Sequence, residues 1–238
     1  MKINDNNSPE GVALLGWGEK FLPFESLKVD YFLCGKGFKL GDDVISLTQV
    51  HSNICVEVSE QSKEELEKVE ADAMITQGIK FIAVKTADCL PILISSSDGK
   101  IVACVHAGWR GLVSGIIEET LSNFSAKGCD VKDLIVLIGP SIGFENFEVG
   151  EEVVEEFDRY TKPFKNTFSW HGKNGKGKSI IGLQSVCVNM LLTEGVPAKK
   201  IGVVDVCTME REDILHSYRR NGKDAGRNWT GIRCAKES

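Results

Sequence analysis

Residues 81–124 read FIAVKTADCLPILISSSDGKIVACVHAGWRGLVSGIIEETLSNF, and this stretch decides the fold prediction. Its first part contains three short apolar runs rich in β-branched residues, which predict strands at Phe81–Val84, Leu90–Ile94 and Ile101–His106. Its last part has apolar residues at helical spacing, which predict a helix over Leu112–Phe124. Strands grouped in hairpin-like pairs between helices are typical of the α+β class rather than of a doubly wound sheet.

The same two signals predict the remaining secondary structure. Five further strands are expected, at Val12–Trp17, Val44–Val50, Ile54–Val58, Leu134–Ile138 and Ile201–Val206. Two further helices are expected, an acidic amphipathic one around Val153–Phe157 and one over Leu183–Leu191 that Gly195 and Pro197 end. The length of 238 residues and the hydrophobic content of 42% suit one large domain or two small ones; we take the chain as a single domain spanning residues 1–238.

The charge and histidine content exclude several classes of function. With 28 Lys and Arg against 34 Asp and Glu, the net charge of −6 has the wrong sign for a surface that follows phosphates. Nucleic acid is therefore not expected as a partner. The four histidines are too few for this chain alone to build a multicopper oxidase centre, which takes roughly ten imidazoles.

The sequence also predicts the cellular compartment. Residues 1–11 lack the apolar stretch of a signal peptide, and no apolar run reaches the roughly 18 residues of a membrane span. The eight cysteines include no C-x-x-C pair, and Cys104, Cys187 and Cys207 lie in apolar runs, which favours reduced thiols. We therefore expect a cytoplasmic, monomeric protein that does not contact membranes.

One glycine-rich segment matches a nucleotide-binding pattern. Residues Gly172–Ser179 fit G-x-x-x-x-G-K-S, and Ile201–Asp205 resembles the acidic strand that accompanies such a loop. A genuine phosphate-binding loop follows a buried strand, whereas the preceding Phe164–Trp170 is interrupted by polar residues. We therefore predict that His171–Lys178 is a solvent-exposed loop.

Three segments place reactive side chains where strands are expected to end. They are TQVH ending at His51, TADCLP around Asp88 and Cys89, and VHAGWRG around His106. Two imidazoles and a thiolate would form an open, three-ligand zinc site. Alternatively, Cys89 is a nucleophile with His106 as its base and Asp88 or a polar neighbour as the orienting group. In the simplest interpretation, the two histidines and the cysteine only pack at the edge of the core.

The turn after His106 is a candidate anion site. Gly108 and Gly111 permit close approach of the backbone, and a helix N-terminus with Arg110 beside it suits an oxyanion or a phosphate. The same residues would also serve as an ordinary tight turn between a strand and a helix.

Several segments together resemble a known family. In chain order they are QVHSNICVEV, ADAMIT, VKTADCLPIL, VHAGWRGLVSGI, IGPSIGFENFEVGEEV, DVCT and HSYRRNGKDAGR. They resemble the YfiH-like laccase-domain proteins, once called multicopper polyphenol oxidoreductases and now regarded as purine nucleoside phosphorylases. The resemblance runs from about Asp43 to Gly226. It implies an α+β sandwich of mixed β-sheets flanked by helices, shared with the catalytic domain of a cytotoxic necrotizing factor.

The resemblance also implies a site and a reaction. His51, Cys89 and His106 match the family's zinc ligands, and copper could occupy the same ligands. The expected reaction is attack of phosphate on C1′ of adenosine, inosine or methylthioadenosine, with deamination of adenosine in the same pocket. Arg110, or else Arg219 and Arg220, would bind the phosphate, and a metal-free Cys/His amidase, a copper-dependent polyphenol oxidase and a non-catalytic metal-binding module remain alternatives.

Three departures from the family pattern affect these expectations. The region before the first histidine is short and lacks the usual Arg-Gly-Gly and Asn-Arg segments, so contacts to phosphate or nucleoside from there are not expected. Ser141 replaces the usual cysteine of the G-P-C-I segment, and Gly182 replaces the usual aspartate that opens the late helix. None of these departures alters the three expected zinc ligands.

Overall fold

The computed structural model describes residues 11–161 and 170–235. Within these ranges β-strands form most of the framework. The strands are β1 (Ala13–Leu15), β2 (Asp30–Cys34), β3 (Cys55–Val58), β4 (Ala73–Thr76), β5 (Ile82–Thr86), β6 (Leu90–Ser95), β7 (Val102–Ala107), β8 (Ile135–Ile138), β9 (Glu148–Val149), β10 (His171–Lys173), β11 (Ser179–Ile181), β12 (Ile201–Val204) and β13 (Asn228–Arg233). The α-helices are α1 (Leu22–Ser26), α2 (Lys63–Leu66), α3 (Trp109–Val113), α4 (Ile116–Ala126), α5 (Glu151–Thr161), α6 (Leu183–Thr193) and α7 (Tyr218–Asn221). Short 3-10 helices lie at Val131–Asp133, Phe144–Asn146, Ala198–Lys200 and Gly222–Asp224.

The largest sheet has seven strands in the order β1-β12-β8-β6-β7-β4-β3. Its centre, from β8 through β6 and β7 to β4, is antiparallel, while β1, β12 and β8 at one side and β3 and β4 at the other are parallel. Two antiparallel sheets accompany it, in the orders β2-β13-β5 and β10-β11-β9. This mixed arrangement with flanking helices confirms the predicted α+β class and the sandwich of sheets.

Alternating side chains of the central strands divide the core into two parts. In β6, Ile92 and Ile94 pack with the apolar residues of α4 and α6, whereas Leu93 faces the opposite way, toward Ile82 of β5 and Ile232 of β13. This period of two is what a strand buried on both faces produces. Burial of each such aliphatic side chain contributes about 1.5–3 kcal/mol, so both layers stabilise the large sheet. The large sheet therefore lies between a layer of helices and the β2-β13-β5 sheet.

The predicted helix over Leu112–Phe124 is two helices instead of one. Gly115 has φ of +89°, in the left-handed region, and separates α3 from α4. A backbone that turns left-handed for one residue cannot continue the same helix. The predictions at Val153–Phe157 and Leu183–Leu191 are confirmed as α5 and α6.

The strand predicted at Val44–Val50 is wrong. This segment makes only isolated bridges, from Ile45 to Ile82 and from Thr48 to Glu70. Part of its pairing is made by side chains: Nε2 of Gln49 donates to the carbonyl of Lys85, and Oε1 of Gln49 accepts the N–H of Lys85. In a strand, the backbone of residue 49 would make these bonds. The other seven predicted strands are confirmed with small shifts of their ends.

The sequence patterns do not predict six of the strands, β2, β4, β9, β10, β11 and β13. In β13 the apolar alternation is interrupted by Gly231, which makes the segment look like a turn. The structure explains this glycine, because a Cβ atom there would lie 2.5 Å from Cζ of Phe32 on the neighbouring strand. The glycine allows an aromatic ring to lie flat on the sheet.

The glycine-rich segment is a β-hairpin. Strands β10 and β11 are antiparallel, Lys173 is opposite Ser179, and the backbone N–H of Asn174 donates to the carbonyl of Lys178 over 2.9 Å. The first three residues of the loop predicted at His171–Lys178 are therefore a strand, β10. A phosphate-binding loop instead leads from a parallel strand directly into a helix, so the hairpin gives the ATP-binding interpretation no support. Residues 164–169 of the preceding segment lie outside the described residues.

All eight cysteines lie in the described residues, and none of them is in a disulfide; Cys104, Cys187 and Cys234 are buried. In the described ranges no helix combines the length and the apolar character that crossing a membrane would require. The single-domain boundary at residues 1–238 stays a prediction.

Candidate metal centre

The β6–β7 hairpin brings Cys89 and His106 together. In its register Leu90 is opposite Ala107 and Pro91 is opposite His106, so Cys89, just before β6, lies across from Gly108. A Cβ atom on Gly108 would be 2.8 Å from Cδ2 of His51 and 3.2 Å from Sγ of Cys89. Glycine is therefore needed here for close packing against two candidate ligands.

His51 reaches the same point from an irregular segment that Asp72 organises. The carboxylate of Asp72 accepts backbone N–H groups from Val50 (3.2 Å), His51 (3.0 Å) and Ser52 (2.6 Å), as well as the Ser52 hydroxyl (2.8 Å). His51 adopts a left-handed φ of +63°, which is uncommon for a residue other than glycine. Local strain of this kind persists where surrounding contacts fix it, and here the buried carboxylate provides those contacts.

The three predicted ligands form one cluster. Their donor atoms all lie within 4.8 Å of one another, Sγ of Cys89 is 3.8 Å from Nε2 of His51, and the two imidazole rings meet edge to face with centroids 4.9 Å apart. Zinc bonds to nitrogen and sulfur are about 2.0–2.3 Å long, so these atoms are close enough to share an ion after small side-chain movements. Two imidazoles and one thiolate are also the donor types that zinc prefers, and they leave a coordination position open. The residues present therefore fit zinc.

Asp72 also sets the tautomer of His106. Oδ1 of Asp72 is 2.7 Å from Nδ1 of His106, and both side chains are buried. A carboxylate accepts a proton at Nδ1, which leaves the Nε2 lone pair for a metal. The backbone N–H of His106 also donates to the carbonyl of Asp72 over 2.7 Å, so this pair is fixed at both ends.

The charges of the cluster shift three pKa values. Burial raises the pKa of the Cys89 thiol, but hydrogen bonds and positive charge from His106 and His51 outweigh burial and lower this pKa to about 7. Burial lowers the pKa of His106, yet the hydrogen bond to Asp72 and the contact with Cys89 raise it to about 9. Burial raises the pKa of Asp72, and hydrogen bonds from His106 and Ser52 reverse this and lower it to about 2. Without a metal, the cluster therefore favours a thiolate beside an imidazolium held by a carboxylate.

Asp88, predicted as a catalytic or orienting group, is bound elsewhere. Its Oδ1 accepts the Thr208 hydroxyl over 2.6 Å, and its Oδ2 accepts the backbone N–H of Arg219 over 2.6 Å. Its carbonyl accepts the N–H of Ile142 over 3.0 Å, and its φ is +88°. Asp88 thus links the Cys89 turn to three other segments, and the carboxylate that orients His106 is Asp72.

The cluster opens into a cavity of about 370 Å³. This volume is in the range of small-molecule sites. The cavity is lined by Gln49, His51, Lys85, Thr86, Ala87, Asp88, Cys89, His106, Ile142, Phe147, Tyr218, Arg219 and Arg227.

The three predicted arginines occupy different environments. Arg219 lines the cavity. Arg220 does not, because its guanidinium donates to the carbonyls of Thr208, Met209 and Leu215 and so holds a loop in place. Arg110 is also absent from the cavity lining, and its guanidinium lies 4.3 Å from the centroid of the Trp109 ring.

The sequence patterns do not identify Asp72 or several residues that line the cavity. An acid inside the apolar run ADAMIT was the available signal for Asp72, because a buried carboxylate needs partners. Lys85 and Arg227 lie in segments that carry the family resemblance, yet no local pattern distinguishes them from surface charges. Their direction depends on β5 and on the loop before β13.

Known proteins of one family match this chain over most of its length. A family model described as multi-copper polyphenol oxidoreductase laccase matches residues 32–235. A purine nucleoside phosphorylase of Bacteroides thetaiotaomicron is 33% identical over 224 residues, which cover 92% of this chain and 74% of that protein. Adenosine deaminase RL5, from an unknown prokaryotic organism, is 36% identical over 200 residues, which cover 80% of this chain and 75% of that protein. The crystal structure of Neisseria meningitidis protein NMB0706 superposes with a TM-score of 0.69 at 33% identity, covering 81% of this chain and 75% of the other.

Proposed function

Because this chain belongs to the multi-copper polyphenol oxidoreductase laccase family, which includes the YfiH-like proteins, we propose that it is a zinc-dependent purine nucleoside phosphorylase. Its substrates are adenosine, inosine and methylthioadenosine, and the same pocket deaminates adenosine. The names of the relatives support both activities, since one is a purine nucleoside phosphorylase and another an adenosine deaminase.

The observation that carries this proposal is the position of the His51, Cys89 and His106 cluster in the wall of the cavity. A structural zinc site is closed by four protein ligands, whereas a catalytic site keeps a position for water or substrate. Here three donors face a space large enough for a nucleoside.

The protein groups have separable tasks in this site. A bound zinc ion supplies Lewis-acid chemistry at the cluster. Asp72 holds the Nδ1 proton of His106 and keeps Nε2 directed toward the ion position. Ile142 and Phe147 form an apolar part of the cavity wall. This part suits a purine base and excludes water from around it.

Phosphorolysis makes one bond and breaks one. A phosphate oxygen bonds to C1′ of the ribose, the bond from C1′ to the purine nitrogen breaks, and its electron pair leaves with the base, which takes up a proton. The products are the free base and ribose 1-phosphate, or 5-methylthioribose 1-phosphate when the substrate is methylthioadenosine. The phosphate must therefore be bound as an anion near the sugar, which requires positive charge in the cavity.

The test uses purified, zinc-loaded protein incubated with inosine, adenosine or methylthioadenosine, with and without phosphate, followed by chromatography of the products. Free base that forms only with phosphate supports phosphorolysis, and inosine formed from adenosine supports deamination. Cys89→Ser should remove both activities and the zinc, whereas Cys129→Ser, at a half-buried cysteine outside the cavity, should retain them. Stoichiometric zinc without turnover of any nucleoside would contradict the proposal and favour a non-catalytic metal-binding module.

A second candidate is a metal-free Cys/His amidase or deamidase. It is favoured by the pKa of about 7 at Cys89 and by the chain of Cys89, His106 and Asp72, which has the form of a nucleophile, a base and an orienting acid. This mechanism predicts full activity after verified metal removal and a covalent adduct on Cys89. Copper-dependent oxidation of a polyphenol at the same three ligands is tested by loading the protein with copper and measuring oxygen uptake.

A further inference from the structure

The cavity concentrates positive charge in an acidic protein. The chain carries a net charge of −6, yet Lys85, Arg219 and Arg227 all line this one cavity. Asp88 is the acidic residue in the lining, and both its carboxylate oxygens are already bound, to the Thr208 hydroxyl and to the Arg219 backbone. The lining therefore carries three cations against one carboxylate, an excess of positive charge.

None of these three cations makes an ion pair with a described carboxylate. The salt bridges of the described residues involve other lysines and arginines. Arg220, next in the chain to Arg219, shows the contrast, since its N–H groups are taken up by three backbone carbonyls. Unpaired cations that converge on a cavity are what an anionic ligand requires.

Both guanidinium groups are held in place while keeping free donors. Arg219 donates to the carbonyls of Asn146 (3.4 Å) and Glu148 (3.0 Å), and its guanidinium lies 5.5 Å from the centroid of the Phe147 ring. Arg227 donates through Nη1 to the carbonyls of Ala225 (2.7 Å) and Gly226 (3.0 Å). Since a guanidinium has five N–H donors, each keeps N–H groups for a ligand. Fixing these side chains beforehand reduces the entropy lost on binding.

Lys85 is placed by its backbone. It lies on β5, where its N–H and carbonyl both pair with the Gln49 side chain, at 2.9 Å and 2.8 Å. Gln49 therefore fixes the strand from which the lysine reaches the cavity. One ammonium and two guanidinium groups in the lining of the same cavity match the usual division of roles in phosphate sites, in which guanidinium groups set the geometry and an ammonium supplies a point charge.

We infer that Lys85, Arg219 and Arg227 form the subsite for inorganic phosphate, with Asp88 as the positioning residue that fixes the Arg219 backbone. The inference rests on the proposed function, because the phosphate bound here is the second substrate of phosphorolysis. It replaces the sequence prediction for Arg110 and Arg220, which lie outside the cavity lining. It also supplies a phosphate site without the N-terminal arginine segments that this chain lacks.

The test compares Lys85→Gln, Arg227→Gln and Arg219→Lys with Arg159→Gln. Arg159 is exposed on α5 and pairs with Glu156, so its substitution removes the same charge outside the cavity. Two quantities are measured on zinc-loaded protein: the KM for phosphate and for inosine, and the binding of inorganic phosphate by calorimetry. We expect the KM and the Kd for phosphate to rise at least about tenfold in each of the three cavity variants, because Lys85→Gln and Arg227→Gln each lose a charge-assisted contact and Arg219→Lys loses the two-pronged guanidinium. The KM for inosine should stay within about threefold, and Arg159→Gln should match the parent.

The possible results distinguish failure of the phosphate subsite from failure of the proposed function. If the parent protein phosphorolyses inosine but Lys85→Gln and Arg227→Gln keep the parental KM for phosphate, the inference is wrong while the proposed function stands. If no nucleoside is phosphorolysed, yet calorimetry shows phosphate binding that these variants lose, the subsite stands and the proposed function falls. Absence of phosphate binding to the parent protein, or binding of a nucleoside monophosphate much tighter than phosphate, would overturn the assignment to inorganic phosphate.

Discussion

Replacing Asp72 with asparagine keeps the shape of the side chain but removes its charge, and we expect the variant to lose both zinc affinity and stability. The two carboxylate oxygens accept five hydrogen bonds, four from Val50, His51 and Ser52 and one from His106. An amide offers one oxygen only. In either orientation of the asparagine amide, its NH₂ group takes the place of one carboxylate oxygen and meets hydrogen-bond donors. Two bonds are lost if it replaces Oδ1, and three if it replaces Oδ2.

The expected magnitude follows from these contacts. A hydrogen bond to a charged group contributes about 1.5–3 kcal/mol, so losing two costs roughly 3–6 kcal/mol of unfolding free energy before relaxation. The pKa of Asp72, lowered to about 2 from 3.8 largely by these same hydrogen bonds, corresponds to about 2 kcal/mol at neutral pH and gives the lower bound. At about 2–4 °C per kcal/mol for a chain of this size, a loss of about 2 kcal/mol or more should lower Tm by at least about 4 °C. Loss of the carboxylate behind a histidine ligand should also weaken zinc binding about 10–100-fold.

The assay measures zinc affinity by competition with a chromophoric chelator, and Tm in the metal-free and zinc-loaded states. Asp158→Asn is the matched control, because Asp158 is an exposed residue of α5. Measuring the metal-free state separates the structural loss from the metal loss. Parental zinc affinity in Asp72→Asn, together with a Tm within 2 °C of the parent protein, would refute the assigned role of Asp72.

Four further predictions concern the same region and the hairpin. Gly108→Ala should weaken zinc binding at least about tenfold in a chelator competition, since its Cβ would lie 2.8 Å from Cδ2 of His51; unchanged affinity would mean that the backbone shifts freely. Zinc affinity should fall about tenfold for each pH unit between pH 9 and 7, because the metal-free His106 gains a proton in this range. Below pH 7 the affinity should fall more steeply, because the Cys89 thiolate is protonated as well. An affinity that stays constant from pH 6 to 8 would contradict this prediction. Zinc should protect Cys89 from iodoacetamide until a chelator is added, as followed by peptide mass spectrometry, and rapid labelling of fully active zinc protein would favour the covalent mechanism. Lys178→Ala should leave activity and nucleotide binding unchanged because its segment is a hairpin, and micromolar ATP binding that the substitution abolishes would revive the ATPase interpretation.

The central strands and the candidate ligands could be predicted because their signals are local. Cys89 and His106 flank apolar runs that the sequence marks as strands, and the hairpin register then requires them to meet. His51 was grouped with them from its expected position at a strand end, and the family resemblance supports the same grouping. Its own segment, expected to be a strand, is held instead by side-chain hydrogen bonds, which no periodicity reveals.

The environment of each charge could not be predicted because it depends on tertiary contacts. Arg219 and Arg220 are neighbours with the same chemistry, yet one lines the cavity and the other binds carbonyls. The difference comes from the orientation of α7, which the Ser217 hydroxyl caps by accepting the N–H of Arg220. Asp88 was expected beside Cys89 and His106, but its left-handed backbone directs its carboxylate to Thr208 and Arg219.

The position of β13 between β2 and β5 sets the order in which this protein can mature on the ribosome. Asn228 pairs with Thr86 and Trp229 with Lys85, so the strand that carries part of the cavity wall is completed by residues translated long after it. Until β13 emerges, β2 and β5 have no partner between them, and the apolar face they cover stays open to chaperones and proteases. The large sheet can begin to form earlier, from the β6–β7 hairpin, whereas the pocket waits for synthesis to pass Arg233. Nascent chains stalled before that residue should therefore be folded in part and inactive.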